Sequence, residues 1–377
     1  MSEPVARNAL LLSLSLSVGL GLLALRPAVV TPPPAAPVDG EAVEVIETRE
    51  ASMAAGVIGL GADAVLMAGP AMSAARPMAD AILERVIPKR APFELTAAQK
   101  GAGFNECMTP DPGRGYFAEP RTIWHGQVSV PASGGITDDG GYDVIMHFHG
   151  GPAARKTLVT SARGVALVGI DLGIGSAAYD QPFMSSTLLF DELRRSVEKA
   201  LRAESNRPDA HIRHLALSAW SAGYGAVNAI LRHSGPGPID AVVLLDGFHS
   251  GYLPVDNNHR IDAQHVAPLT DYARLATRGE RFFFLTHSQI GTEGYASTTE
   301  MSDMLLRQLG LQRTAGEPSN DPLGLRSYVD VESFHLRGFG GVDERAHCDH
   351  LRHLADAVHM LEERWDTPVA APRAPAH

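Results

Sequence analysis

The feature that most constrains the fold is a short apolar run that stops at a serine between small residues, within residues 214–225 (HLALSAWSAGYG). The apolar run has the composition of a buried strand, and a helical pattern follows the serine. Ala219 and Gly223 flank Ser221 at two residues' distance, which allows a tight turn. A strand that turns sharply into a helix exposes one side chain above the sheet and directs the first N–H groups of the helix to the same place. We therefore expect an exposed Ser221 hydroxyl beside the N–H of Ala222.

Apolar runs that read as strands alternate with helical patterns from about residue 104 onward. Strands that alternate with helices usually pair in parallel through right-handed crossovers, so the sequence predicts a doubly wound, mostly parallel α/β sheet. Catalytic groups are expected at the carboxyl ends of its strands. The predicted strands cover residues 123–130, 142–148, 165–172, 215–217, 239–245, 281–286 and 328–336, and the clearest amphipathic helix covers residues 187–202.

Candidate base and acid residues for the serine stand after later predicted strands. A serine hydroxyl is a weak nucleophile that needs a histidine base, and the histidine needs a carboxylate that fixes its tautomer. Asp246 ends the strand after Ser221 and is a candidate acid, and His347, which follows the last predicted strand, is a candidate base. Two alternatives stay open, namely His350 as the base and Glu293, beyond the next strand, as the acid.

These residues resemble the α/β-hydrolases. The A-W-S-A-G sequence at Ser221 is similar to the family's nucleophile elbow, G-x-S-x-G, with alanine at the first glycine position. In the family the acid follows the serine in the chain and the histidine lies in a loop after the last strand, so the resemblance implies a triad of Ser221, Asp246 and His347, although most members carry the acid one strand later than Asp246. The resemblance covers about residues 141–361, and it implies a serine hydrolase that works through an acyl-enzyme.

A Gly-rich strand end supports the same resemblance. His149, Gly150 and Gly151 follow a predicted strand, where hydrolases of this class carry a loop whose N–H groups stabilise an oxyanion. The resemblance therefore implies an oxyanion hole made by the N–H of Ala222 and that of Gly150 or Gly151. The run 173–178 fits a G-x-G-x-x-A dinucleotide pattern, but it does not open the first βαβ unit, so no cofactor is expected.

The substrate class follows from the resemblance and stays broad. A small-molecule carboxylic ester is the expected substrate. A peptidase or amidase with the same triad, and an inactive hydrolase fold that binds a ligand in the cell envelope, are the alternatives. We expect residues 291–322, with Tyr252, Tyr272 and Tyr295, to cap the cleft.

A metal site is the remaining alternative. His347, Asp349, His350 and His353 crowd one short segment, but the chain has no H-E-x-x-H motif, and a polar helix face explains the cluster more simply. We therefore expect no metal.

The segments before the predicted catalytic domain suggest export. Residues 9–25 are 17 apolar or small residues without a charge, which predicts a signal-anchor or signal segment over residues 1–26, with the catalytic domain outside the cytoplasm. A Pro-rich linker (27–40) and an Ala-rich helical prefix (41–103) follow, then the hydrolase domain (104–365) and a disordered tail (366–377).

Charge and cysteine content limit the partners. The net charge of −11 over 377 residues, without a basic stripe, argues against nucleic-acid binding. Cys107 and Cys348 are either one disulfide, if the compartment is oxidising, or two free thiols. The sequence does not indicate an oligomeric state.

Overall fold

The computed structural model describes Cys107 and residues 110–254, 259–317 and 323–369. The predicted anchor at residues 9–25, the linker and the helical prefix lie outside these residues. In the part of the chain that is described, no helix is both long enough and apolar enough to cross a bilayer.

A mostly parallel sheet forms the centre of the described fold. The strands are β1 (Arg121–Ile123), β2 (Gly126–Ser129), β3 (Gly141–Phe148), β4 (Ala166–Ile170), β5 (His211–Trp220), β6 (Ala241–Leu245), β7 (Ser250–Gly251), β8 (Phe282–His287), β9 (Tyr295–Ala296), β10 (Thr314–Ala315), β11 (Leu325–Val331) and β12 (Phe334–Phe339). Ten of them form one sheet in the order β1-β2-β4-β3-β5-β6-β8-β12-β11-β10. The pairs from β4 through β12 are parallel, whereas the pairs at both edges are antiparallel. The predicted mostly parallel α/β sheet is confirmed.

Helices cover both faces of this sheet. They are α1 (Gly151–Ser161), α2 (Ser176–Asp180), α3 (Leu188–Ser205), α4 (Tyr224–Ser234), α5 (Ala267–Ala276), α6 (Thr298–Leu309), α7 (Glu344–Asp349) and α8 (Leu354–Arg364). Successive residues of a strand point to opposite faces. Val144 and Met146 of β3 therefore pack into the core formed with α3 to α6, whereas Ile145 packs into the core formed with α1 and α8. Burial on both faces explains why all eight residues of β3 are buried.

The last strand differs from its prediction. Residues 328–336 were expected as one strand, but they belong to the antiparallel pair of β11 and β12, of which only β12 is parallel to β8. The turn between the two strands has Glu332 at a φ of +53°. Ser333 is a common turn residue, but no glycine, proline or asparagine accompanies it, so the sequence carries only a weak signal for this turn.

The predicted boundary at residue 366 is also wrong. Thr367 is buried and its Oγ1 donates a hydrogen bond to Asp143 Oδ2 at 2.6 Å, while the carbonyl of Pro368 accepts a bond from the N–H of Gly135. The folded domain therefore extends to at least Pro368. Residues 370–377 of the predicted tail lie outside the described part.

Candidate active site

Three neighbouring strands end in residues with strained backbones. His149 follows β3, Ser221 follows β5 and Asp246 follows β6, and their φ angles are +71°, +50° and +44°. The three strands are adjacent in the sheet. A non-glycine residue in this left-handed region costs about 1–2 kcal/mol, and such strain concentrates at functional sites. The strain therefore marks the carboxyl edge of β3, β5 and β6 as the candidate site.

The turn at Ser221 is held by close backbone contacts. Residues 221–223 form one turn of 3-10 helix that leads from β5 into α4. A Cβ on Gly223 would lie 2.0 Å from the backbone oxygen of Phe148, and a Cβ on Gly247 would lie 2.4 Å from the backbone oxygen of Ser221. Both glycines are needed because the elbow is packed between the ends of β3 and β6. The predicted strand-to-helix turn at Ser221 is thus present in the structure.

Asp246 and His347 are directly hydrogen-bonded. His347 lies in α7, and its Nδ1 is 2.6 Å from Asp246 Oδ2. A carboxylate can only accept, so Nδ1 carries the proton and Nε2 keeps a lone pair. This tautomer is the one that a general base beside a serine requires.

The carboxylate of Asp246 is buried and fully engaged. Its Oδ1 accepts hydrogen bonds from the N–H of Ser288 at 2.8 Å and from Thr298 Oγ1 at 2.7 Å. Burial alone would raise the pKa of Asp246, but the hydrogen bond from His347, the nearby imidazoles of His350 and His347, and the bond from Thr298 hold it well below its usual range. Asp246 is therefore a stable anion next to His347.

Trp220 positions the histidine from the side of the elbow. Its indole Nε1 donates a hydrogen bond to the backbone oxygen of His347 at 3.0 Å, and the two rings pack with their centroids 4.8 Å apart. The other close ring is that of His149, stacked on Trp220 at 5.1 Å. Trp220 directly precedes Ser221 in the chain, so its contact with His347 connects the histidine to the residue before the serine turn.

One cavity brings the predicted triad together. Ser221, Asp246 and His347 line a cavity of about 330 Å³, together with His249 and Tyr295. Among the described residues no hydrogen bond joins Ser221 to His347, although both line this cavity.

The predicted cap over this cavity is only partly right. Tyr295 lines the cavity, but Tyr272 is buried in the core, where its hydroxyl donates to the backbone oxygen of Ile239. Tyr252 bonds to Glu300 with its hydroxyl and does not line the cavity.

The predicted oxyanion donors Gly150 and Gly151 are engaged elsewhere. Their N–H groups donate to Asp171 Oδ1 at 2.8 and 3.3 Å, and neither residue lines the cavity of Ser221. The left-handed conformation of Gly150, with a φ of +77°, turns this part of the chain toward the end of β4. In this conformation they are therefore not directed at an oxyanion. Ala222, the third predicted donor, stands directly after Ser221 in the 3-10 turn.

The alternative site residues do not line the serine cavity. His350 is fully buried, its Nδ1 bonds to Thr286 Oγ1 at 2.7 Å, and burial lowers its pKa to about 3. Glu293 is exposed and does not line the cavity. The geometry thus favours His347 and Asp246 over both alternatives.

The histidines that suggested a metal site point to different partners. His347 bonds to Asp246, His350 bonds to Thr286, and His353 bonds to Asp356 at 2.8 Å. Within the described residues, no group of three or more His, Cys, Asp or Glu side chains is arranged to hold a metal ion.

Cys107 and Cys348 form a disulfide, one of the two possibilities that the sequence leaves open. Their Cα atoms are 5.0 Å apart, and the bond spans 241 positions of the chain. Since Cys348 follows His347 directly, the disulfide ties the helix that carries the histidine to the start of the domain.

Several side chains of the site are not apparent from the sequence. The Ser288 and Thr298 bonds to Asp246, the contact of Trp220 with His347, and the place of His249 on the cavity wall all depend on loop geometry. Only Trp220 carries a usable signal, because it is a large aromatic residue directly before the serine.

Comparisons with known proteins find distant structural likeness only. No protein-family model and no curated protein matches the chain. An acylaminoacyl peptidase from Pyrococcus horikoshii is 16% identical, with 69% of this chain and 43% of that one covered and a TM-score of 0.39. The enterochelin esterase from Shigella flexneri is 13% identical, with 67% and 61% covered and a TM-score of 0.41. An S-formylglutathione hydrolase from Agrobacterium tumefaciens is 12% identical, with 66% and 99% covered and a TM-score of 0.34.

The chain therefore spans less than two thirds of the peptidase and of the esterase. At this distance the likeness does not identify a substrate or a mechanism.

Proposed function

We propose that this chain has the α/β-hydrolase fold, with Ser221 at the nucleophile elbow, and is a serine hydrolase that cleaves carboxylic esters through an acyl-enzyme. Ser221 is the nucleophile, His347 the general base and Asp246 the acid. The observation that carries the proposal is the 2.6 Å hydrogen bond between His347 Nδ1 and Asp246 Oδ2, on the wall of the cavity that Ser221 also lines.

Each residue of the proposed triad has one chemical task. His347 Nε2 accepts the proton of Ser221 Oγ while that oxygen attacks the carbonyl carbon of the ester. The charge of Asp246 stabilises the imidazolium, which then protonates the leaving alcohol. In the second half of the cycle His347 takes a proton from water, the water oxygen attacks the acyl carbonyl, and the carboxylic acid leaves as Ser221 regains its proton.

We propose that the N–H of Ala222 is one of the hydrogen-bond donors that stabilise the oxyanion. The first N–H groups of a helix have no intrahelical partner, so the N–H of Ala222 is available next to the attacking oxygen. Gly150 and Gly151 can add a second donor only if their N–H groups exchange the carboxylate of Asp171 for the oxyanion. The left-handed conformation of Gly150 is readily changed, because glycine accepts both signs of φ.

Fluorophosphonate labelling of Ser221→Ala tests the nucleophile. The wild-type chain should be labelled and should hydrolyse p-nitrophenyl esters, and the variant should lose the label and at least about 10⁴-fold in kcat. Ser288→Ala, at another serine on the same cavity wall, is the matched control and should keep the label. Full labelling of Ser221→Ala would overturn the proposal.

The same experiment separates the alternative functions. Peptide arylamides assayed beside the esters identify an amidase if only the arylamides are cleaved. A wild-type chain that takes no label and cleaves neither substrate is a binding protein with a hydrolase fold.

We also propose that residues 9–25 anchor the chain in a membrane, with the catalytic domain outside the cytoplasm. The bond between Cys107 and Cys348 supports export, because structural disulfides persist in oxidising compartments and are rare in the cytosol. After an alkaline wash of isolated membranes the chain should stay in the pellet, and recovery in the wash would contradict the anchor.

A further inference from the structure

A second imidazole, that of His249, lies on the wall of the cavity that holds the proposed triad. His249 follows the end of β6 by four residues and is half-buried. Its ring is held between two tyrosines, with centroids 5.7 Å from Tyr224 and 5.3 Å from Tyr295, both in edge-on geometry. The proposed mechanism gives this well-positioned ring no task.

One nitrogen of His249 is left for a ligand. Its Nδ1 is 3.1 Å from the backbone oxygen of Ala296, and a carbonyl can only accept, so Nδ1 carries the proton. Burial lowers the pKa of His249, and so does His347, while the bond to Ala296 and the charge of Asp246 act in the opposite direction. The ring is therefore neutral, and Nε2, the nitrogen not turned to Ala296, is a hydrogen-bond acceptor.

The other polar groups of the cavity wall are poorly suited to an anionic ligand. The hydroxyls of Thr292 and Thr298 donate to the Tyr295 carbonyl and to Asp246 Oδ1. Glu344 adds a carboxylate, and none of the twelve residues that line the cavity is Lys or Arg. In the described part of the chain the wall thus offers carboxylate and imidazole acceptors beside hydroxyls that can donate or accept, and without Lys or Arg it disfavours an anionic ligand.

We propose that His249 is a specificity residue, whose Nε2 accepts a hydrogen bond from an N–H of the substrate beside its scissile carbonyl. The preferred substrates are then uncharged esters with an acylamino group on the acyl side, and N-acylated amino acid esters are the simplest members of this class. This inference rests on the proposed hydrolase function and specifies its substrate class.

A matched pair of esters tests the inference. The p-nitrophenyl ester of N-acetylglycine carries the N–H donor, whereas that of N-acetylsarcosine has a methyl group in its place. For the wild-type chain we expect kcat/KM to be about 10-fold or more higher for the glycine ester. The sarcosine ester has no N–H, so it leaves His249 Nε2 without a hydrogen bond in the transition state, which lowers its rate. His249→Phe removes the acceptor and should bring this ratio to about one, whereas His249→Gln, which keeps an acceptor oxygen, should restore part of it.

The ratio distinguishes the proposed contact from a structural role, because loss of fold lowers both esters alike. His233→Phe, at an exposed histidine in the last turn of α4, makes the same substitution as a control and should keep the wild-type ratio. A wild-type ratio near one, or an equal ratio in the wild type and His249→Phe, would overturn the inference. Labelling of Ser221 by a fluorophosphonate without cleavage of either ester would also overturn the inference. Failure of Ser221 labelling would instead overturn the proposed function itself.

Discussion

Replacing Asp246 by asparagine should reverse the tautomer of His347 while leaving the shape of the site unchanged. Two donors, the N–H of Ser288 and Thr298 Oγ1, bind the same oxygen of Asp246. The carbonyl oxygen of an asparagine will therefore occupy that position, and its NH₂ group will face His347 Nδ1. Nδ1 must then accept, so the proton moves to Nε2, which can no longer take the proton of Ser221.

Charge and tautomer together set the expected magnitude. Two unit charges about 4 Å apart interact by about 4 kcal/mol at an effective dielectric constant near 20, and this attraction stabilises the imidazolium only while Asp246 is an anion. That loss alone corresponds to about 10³-fold in rate, and the wrong tautomer raises it to about 10⁴-fold in kcat. Thr298→Val removes one hydrogen bond but keeps the charge, so it should cost only about 10-fold to 100-fold.

Burst kinetics with a p-nitrophenyl ester measure the acylation rate directly, and thermal melts by circular dichroism show whether each variant is folded. Glu293→Gln is the control at the alternative acid and should keep the wild-type rate, since Glu293 is exposed and does not line the cavity. An Asp246→Asn variant that is folded and acylates within about 10-fold of the wild type would refute the reasoning. So would a Thr298→Val variant that loses as much as Asp246→Asn.

Two further predictions concern stability. Cys348→Ala should lower the free energy of unfolding by up to about 5 kcal/mol, because the disulfide closes a loop of 241 positions in the unfolded chain. Guanidinium titrations measure this difference, and a loss below about 1 kcal/mol would contradict the prediction. The free energy of unfolding should also fall as the pH drops below about 6.5, because burial holds the pKa of His147 and His350 at about 3 and that of His287 at about 4. These imidazoles stay neutral in the fold and take up a proton only on unfolding. The free energy of unfolding is therefore not reduced by them above about pH 6.5, and below it each of the three histidines lowers it by up to about 1.4 kcal/mol per pH unit. Urea titrations at pH values from about 7.5 to about 4.5 measure the slope, and a flat profile below about pH 6.5 would contradict the reasoning.

The sequence predicts the parts of this fold that local pattern determines. The strand before Ser221 and the helix after it follow from an apolar run, a turn of small residues and a helical period, and all three are local signals. The pair β11 and β12 could not be separated, because the turn between them carries only the weak signal of Ser333 and places Glu332 in a strained backbone conformation.

The direction of the N–H groups in the predicted oxyanion hole could not be inferred from the resemblance. Gly150 and Gly151 follow β3 as predicted, but the direction of an N–H group depends on a single φ or ψ angle and on what the loop meets. Here the loop packs against Asp171, which directly follows strand β4 and whose Oδ1 accepts hydrogen bonds from the N–H groups of both glycines. Such a contact between residues 20 or 21 positions apart has no local signature.

The position of the proposed acid shows why the proposed triad is better predicted as a set of strand ends than as a set of residues. Strands β6 and β8 are parallel neighbours, so their carboxyl ends are separated by only about 4.8 Å, and a carboxylate at either end can approach the same histidine. In this chain β6 supplies the carboxylate of Asp246, and the segment after β8 supplies the N–H of Ser288, which binds that carboxylate. The choice between the two ends is then made by the position of His347, which depends on Trp220 and on the helix tied down by the disulfide. Because these contacts come from distant parts of the chain, the sequence could name two candidate acids, but only the fold shows that Asp246 is the one bonded to His347.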